Sequence, residues 1–163
     1  MANRNPKPKQ VWYTMVARTT SGKDPAYAIT KVADEWLDYN NFKAWYDEQD
    51  TEGKEIDKDI LGDGLLYGPE TCCFVPHSVN HFFTHTRGMI NGGRSGTRKD
   101  GSVFYTTLVS NPFTKGQEYL GRFDTKEEAH IAWKTRKNEL AQEVAKLVDD
   151  PKVALAIRNK FRL

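Results

Sequence analysis

The chain is poor in cysteine and has no long apolar run, and each lack excludes something. Its only two cysteines, Cys72 and Cys73, are adjacent. Neighbouring residues of an extended segment point to opposite faces, so no structural disulfide is expected between them. No Cys-x-x-Cys pair is present to hold zinc. Nothing approaches the ~20 consecutive apolar residues of a membrane-spanning helix. The first ten residues are basic, carry Asn and Pro, and lack the apolar stretch of a secretory signal. Together these features point to a reducing cytoplasm and to a short N-terminal arm. Internal repeats, heptad arrays and low-complexity tracts are also missing. A chain of 163 residues, 38% hydrophobic and 28% charged, has room for one ordinary domain or two thin ones.

What is present is an uneven distribution of charge. The net charge is only +2, but residues 1–31 carry six basic and one acidic side chain, and residues 32–71 carry three basic and twelve acidic. Residues 72–123 carry six basic and two acidic, residues 124–148 balance at zero, and 149–163 stand at +2. A polyanion would be met by the flanks, leaving the acidic centre as a solvated surface or for another use such as a divalent cation.

Residues 11–19 are apolar enough to start a helix or a strand, and Ser21 to Pro25 form a loop signature. From Val32 to Tyr46, apolar residues recur at three- and four-residue steps, which predicts a helical face with a break near Asn40-Asn41. Its aromatic residues fit a core better than a base-stacking platform. Residues 55–61 alternate as a short strand, Gly62-Asp63-Gly64 is a turn, and Leu65 to Tyr67 is extended. Cys72 to Val75 predict a second strand, and a helix follows from Pro76 to Thr84. Residues 86–102, rich in Gly, Ser and Arg, are expected to be a linker. Two further strands are expected at Val103 to Val109 and Glu118 to Phe123. A helix capped at Asp124-Thr125 then runs towards Leu147, and a short last helix spans 152–161.

Residues 101–148 resemble the Apetala-type DNA-binding domain. The resemblance is carried by Gly101, Val103-Phe104-Tyr105-Thr106-Thr107, Tyr119-Leu120-Gly121-Arg122-Phe123, Asp124-Thr125, Glu127-Glu128-Ala129 and Ala132-Trp133. It implies a three-stranded antiparallel sheet packed on one helix, with the sheet able to lie in the major groove. In simple register, Tyr105, Thr107 and Arg122 would share its reading face. Residues 56–84 resemble the ββα-metal, or HNH, motif of phage and intron-associated endonucleases. Here Asp57-Lys58-Asp59 stands on the first strand, Thr71-Cys72-Cys73 stands where that motif has Asn-Leu-Arg, and Asn80 lies nine residues past Thr71.

The resemblance implies Asp57 and Asn80 as ligands of Mg2+ or Mn2+ beside a scissile phosphate. Lys58 occupies the place of the general-base His, and Thr71 that of the Asn that orients it. A free lysine, with a pKa of about 10.4, is a poor base near neutrality. Asp59, one of His77, His81 and His85, or a metal-bound water would have to replace it. The expected fold is α+β. A ββα unit with a helical lead-in occupies 1–85, a Gly/Arg linker carrying Arg87, Arg94 and Arg98 occupies 86–100, and the Apetala-type domain occupies 101–163. The linker would order only on DNA. The expected partner is double-stranded DNA, with no membrane and no small-molecule substrate. Two functions remain open: a metal-dependent phage endonuclease, homing or otherwise, or a catalytically degenerate DNA-binding or host-modulating protein. A protein inhibitor that mimics DNA with its acidic centre is opposed by the basic flanks.

Overall fold

The computed structural model describes residues 7–84 and 94–162, so His85 and Arg87 lie outside the described residues. The architecture is mixed α+β, with five α-helices and small sheets among those residues. None of these helices is long and apolar enough to cross a membrane. Contacts divide the chain into two compact units, Met1–His77 and Ser78–Leu163.

In the first unit, α1 (Pro8–Thr20) begins on a proline, whose missing N–H has no partner to lose in a first turn. After β1 (Lys31–Val32) and a 3-10 turn (Asp34–Leu37) comes α2 (Tyr39–Asp47). The helical pattern breaks at Asp38, not at Asn40-Asn41. The Asp38 carboxylate accepts from the Asn40 N–H at 2.8 Å and so opens a new helix. The strands β2 (Lys54–Asp57) and β4 (Cys73–Pro76) pair antiparallel, with Ile56 opposite Phe74 and Asp57 opposite Cys73. Between them, β3 (Leu66–Tyr67) forms a short parallel pair with β1.

The core of this unit gathers Met15, Trp36, Phe42, Tyr46, Tyr67, Cys72 and Phe74, with Trp12, Tyr39 and Trp45 packed against them. Trp36 meets Phe42 edge-on at 5.1 Å, and Trp45 stacks on Phe74 at 5.7 Å. The Trp12 indole N–H donates to the Trp36 carbonyl at 2.7 Å, so that polar handle is satisfied. The aromatic residues at helical spacing are therefore core.

The second unit contains most of α3 (His77–Thr84), then β5 (Arg94–Thr97), β6 (Val103–Asn111), β7 (Gly116–Phe123), α4 (Lys126–Val144) and α5 (Pro151–Asn159). The sheet order is β5-β6-β7, antiparallel throughout, with α4 against β6 and β7. Its first strand lies within the stretch expected to be a linker. Gly96 pairs with Phe104 and Arg94 with Thr106, so the backbone of 94–97 is held by the ladder without DNA.

A capping box starts α4: the Glu128 N–H donates to Thr125 Oγ1 and the Thr125 N–H to Glu128 Oε2, both at 3.2 Å. Val79, Phe82 and Phe83 of α3 are buried, as are Val109, Leu140, Val144 and Ile157, and Phe82, Phe83 and Trp133 each meet the Phe161 ring. Phe83 stacks on Phe161 at 5.7 Å. The Arg136 guanidinium holds the Glu118 carboxyl down at about 2 and ties α4 to β7 through a 2.7 Å contact.

The pairing of β6 with β7 shifts by one residue. Thr107 faces Gly121, but Leu108 faces Tyr119, leaving Leu120 as an extra residue in β7. Gly121, at φ +130°, supplies the backbone this bulge needs. One extra residue reverses which side chains share a face. A constant register would put Tyr105 opposite Arg122. Instead Thr106 opposes Arg122, and Tyr105 opposes Phe123. Thr107 is 1% exposed, on the same side as the fully buried Val109. The expectation that Tyr105, Thr107 and Arg122 share a reading face is thus corrected: Tyr105 and Thr107 lie on the α4 side, and Arg122 lies on the other.

Inside this unit Lys137 is 1% exposed. Its ammonium donates to the Phe82 carbonyl at 2.6 Å, in the last turn of α3, where carbonyls lack helical partners. The ammonium also lies 3.5 Å from the Phe82 ring centroid and 5.4 Å from that of Phe161. Burial pushes its pKa down to about 7.

Two outcomes follow. Gly121→Ala should lower the urea unfolding midpoint by the equivalent of ~1–3 kcal/mol, the cost of strained backbone; an unchanged midpoint would mean that the bulge does not need glycine. Between pH 7 and the ordinary lysine value of 10.5, the unfolded chain holds the Lys137 proton more tightly than the folded one. Stability should therefore rise with pH across that window, and Lys137→Met should flatten the rise, as read by urea unfolding at several pH values.

Candidate functional site

Only the first residue of the Asp57-Lys58-Asp59 run lies on a strand. β2 ends at Asp57, and its carboxylate turns the chain: Oδ1 accepts from the N–H of Asp59 at 2.8 Å and of Ile60 at 2.7 Å. Lys58 and Asp59 therefore belong to the turn and not to the strand. Asp57 is 2% exposed, and its Oδ2 is buried with no hydrogen-bond partner. Burial raises its carboxyl to about 6, against the pull of the two N–H groups.

Lys58 is also buried, at 3% exposure. Its Nζ is 2.9 Å from Asp59 Oδ1 and lies over the Tyr27 and Tyr67 rings at 5.6 and 5.7 Å. Gly64 passes so close that a Cβ there would meet Asp59 Oδ1 at 2.2 Å. The Thr71 hydroxyl donates to the Leu66 carbonyl at 2.8 Å and so serves the loop that leads to β4. Burial pushes the neighbouring Cys72 thiol up to about 12 and raises the Tyr67 phenol, so neither ionises near neutrality. Sequence reasoning did not find Tyr27 and Tyr67 around Lys58; one lies thirty-one residues before it, and no spacing links them.

Asn80 and His81, the other residues assigned to this chemistry, belong to the second unit, on α3. Asn80 is half-buried and His81 exposed. His77, also exposed, places Nδ1 2.8 Å from Glu55 Oε1. The fit of a divalent cation to these residues can be judged from the donors. Asp57 Oδ1 is committed to two N–H groups, and Asp59 shares an oxygen with an ammonium. Among the described residues no group of three or more His, Cys, Asp or Glu side chains is placed to hold a metal. Within this turn one oxygen of Asp57 and one of Asp59 are thus already engaged, and Asp57 Oδ2 is not.

The second candidate surface is the solvent face of β5-β6-β7. Arg94, Thr106 and Arg122 stand opposite one another in a row across the three strands. Beside them Phe104 covers Gly96, with the Arg122 guanidinium 4.0 Å and the Arg98 guanidinium 5.6 Å from its ring centroid. Arg98 is further fixed by the Asp124 carboxylate, Ser102 Oγ at 3.2 Å and the Val103 carbonyl at 3.0 Å. Tyr119, opposite Leu108, is 60% exposed on the same face. Among the described residues neither Arg94 nor Arg122 has an ion-pair partner. The structure thus places together Arg94, Arg98 and Arg122 from the expected set and separates them from Tyr105 and Thr107. Sequence reasoning missed Phe104, Thr106 and Tyr119; the bulge that brings Arg122 to their face has one local signal, Gly121.

No protein-family model, curated protein or solved structure matches this chain.

Asp57→Ala removes the acceptor of two turn N–H groups and should destabilise the first unit by ~1–3 kcal/mol. Asp57→Asn keeps Oδ1 and should cost far less. Urea unfolding followed by tryptophan fluorescence separates the two; equal losses would mean that the carboxylate's charge matters more than its acceptor geometry.

Proposed function

We propose that this chain binds double-stranded DNA through the solvent face of β5-β6-β7, as a catalytically degenerate relative of phage ββα-metal endonucleases. The observation that carries this reading is the row Arg94–Thr106–Arg122 beside the Phe104 ring. A small antiparallel sheet fits the major groove, arginine reads guanine edges bidentately, and threonine reaches base or phosphate. The stacked Phe104 holds the Arg122 guanidinium in place, which reduces the ordering cost of binding. Charge agrees: the first unit carries nine basic and thirteen acidic residues, the second fifteen and nine. DNA is thus attracted to the second unit. The resemblance of residues 101–148 to the Apetala-type domain points the same way.

A metal-dependent nicking endonuclease is the second reading, favoured by the buried Asp57 Oδ2 that lacks a partner. It is weakened by Lys58, whose ammonium is buried against Asp59 and the Tyr27 and Tyr67 rings and is not open to substrate as a base must be.

The test is fluorescence anisotropy on duplex DNA at several salt concentrations. Arg94→Ala and Arg122→Ala should each weaken binding by ~1–3 kcal/mol for a base contact, or lower the salt slope by ~1 for a phosphate contact. Unchanged affinity and slope in both variants would overturn the placement. Supercoiled plasmid incubated with magnesium, manganese or chelator should stay intact; nicking lost in Asp57→Asn would select the second reading.

A further inference from the structure

The Asp57-Lys58-Asp59 turn contains one buried carboxylate, one half-buried carboxylate and one deeply buried ammonium. We propose that Lys58 is the resident cation of this cluster: its tethered ammonium supplies the positive charge that an added divalent ion would otherwise bring, so the first unit holds its turn without metal. The proposal concerns the first unit alone and stands apart from the DNA-binding reading of the sheet.

Four observations carry it. Lys58 Nζ is 2.9 Å from Asp59 Oδ1, within charge-assisted hydrogen-bond range. The side chain of Lys58 is 4% exposed while that of Asp59 is 30% exposed, so the ammonium is the deeper member of the pair. Tyr27 and Tyr67 place their rings 5.6 and 5.7 Å from it, which compensates part of its lost hydration. Gly64, at φ +82°, leaves Asp59 room that any Cβ would fill. The chain is thus built around an ammonium, with an aromatic wall on one side and a carboxylate on the other. Asp57, next in sequence and 2% exposed, lies within the same electrostatic reach. A divalent ion entering here would meet a fixed positive charge in a poorly screened site, and the repulsion would offset much of its attraction to the carboxylates.

The converse also follows. Removing the ammonium leaves the half-buried Asp59 carboxylate without its partner and the buried Asp57 without a nearby positive charge, the destabilising way to break an ion pair. It should at the same time remove the obstacle to metal.

The experiment uses the full chain and reads unfolding by tryptophan fluorescence, since three of the four tryptophans (Trp12, Trp36, Trp45) lie in the first unit. The wild-type melting midpoint should be the same in chelator, in millimolar magnesium and in millimolar manganese. Lys58→Met should melt lower by roughly 5–10 °C, and metal should recover part of that loss. A wild-type midpoint raised by either metal, with the rise absent in Asp57→Asn, would overturn the proposal; so would a Lys58→Met midpoint equal to the wild type. Should Lys58→Met fail to fold, the wild-type response to metal decides alone. Manganese relaxation enhancement of water protons by the wild-type protein gives an independent check, expected to equal that of free manganese; an enhancement abolished by Asp57→Asn overturns the proposal.

Discussion

One extra residue in β7 fixes the chemistry of the C-terminal sheet. Because Leu120 has no partner in β6, every residue of β7 beyond it changes face relative to the hairpin end. Glu118 stays on the α4 side, where Arg136 and Asn111 hold it, and Tyr119 and Arg122 both come out on the solvent side although they are three apart. Strict alternation would have put Arg122 opposite Tyr105, on the α4 side of the sheet. The bulge therefore lets the strand satisfy two demands: a packed inner face and a cationic outer one. The remaining features of that face depend on it. Arg122 reaches Phe104 only because it stands opposite Thr106, and Phe104 in turn covers the Gly96 backbone of β5.

The two buried lysines illustrate how a cation is kept out of water in different ways. Lys58 has a carboxylate and two phenol rings, so its charge is matched. Lys137 has a carbonyl and apolar rings, with burial as the cause of its shift, and its proton is correspondingly looser. The first arrangement organises a turn. The second joins α4 to the end of α3 through an orphan carbonyl that would otherwise lose its hydration. Neither ammonium is placed like a catalytic base open to substrate.

Much of the framework was legible in the sequence. The periodicity of residues 32–46, the two strands and helix between 54 and 84, the capping signal at Asp124-Thr125 and the helix beyond it all correspond to elements. Local chemistry sets these features, so local patterns report them. The failures came where a distant partner decides. Arg94–Thr97 read as a linker because Arg-Ser-Gly-Thr carries no apolar alternation; it is a strand because β6 offers it an edge. The break in the helical pattern was placed at Asn40-Asn41, but an Asp side chain two residues earlier competes for the backbone and wins. Tyr105 and Thr107 were put on the wrong face because pairing register, unlike alternation, is not written in either strand alone.

The same limit governs the ββα reading. A motif defined by spacing counts residues from Thr71 to Asn80 and takes for granted that the helix serves the hairpin before it. The apolar residues of α3 answer a different question. Phe82 and Phe83 pack their rings against Phe161, and the Phe82 carbonyl is taken by Lys137 of α4, fifty-five residues on. Helix α3 thus contributes its core-forming side chains to the unit that carries the basic sheet. An element so committed is constrained by that core independently of any chemistry. A strand–strand–helix order is then accounted for by folding alone, and carries little weight for catalysis. Lys58 and Thr71 likewise serve the fold of the first unit, one in a buried ion pair and the other in a loop hydrogen bond.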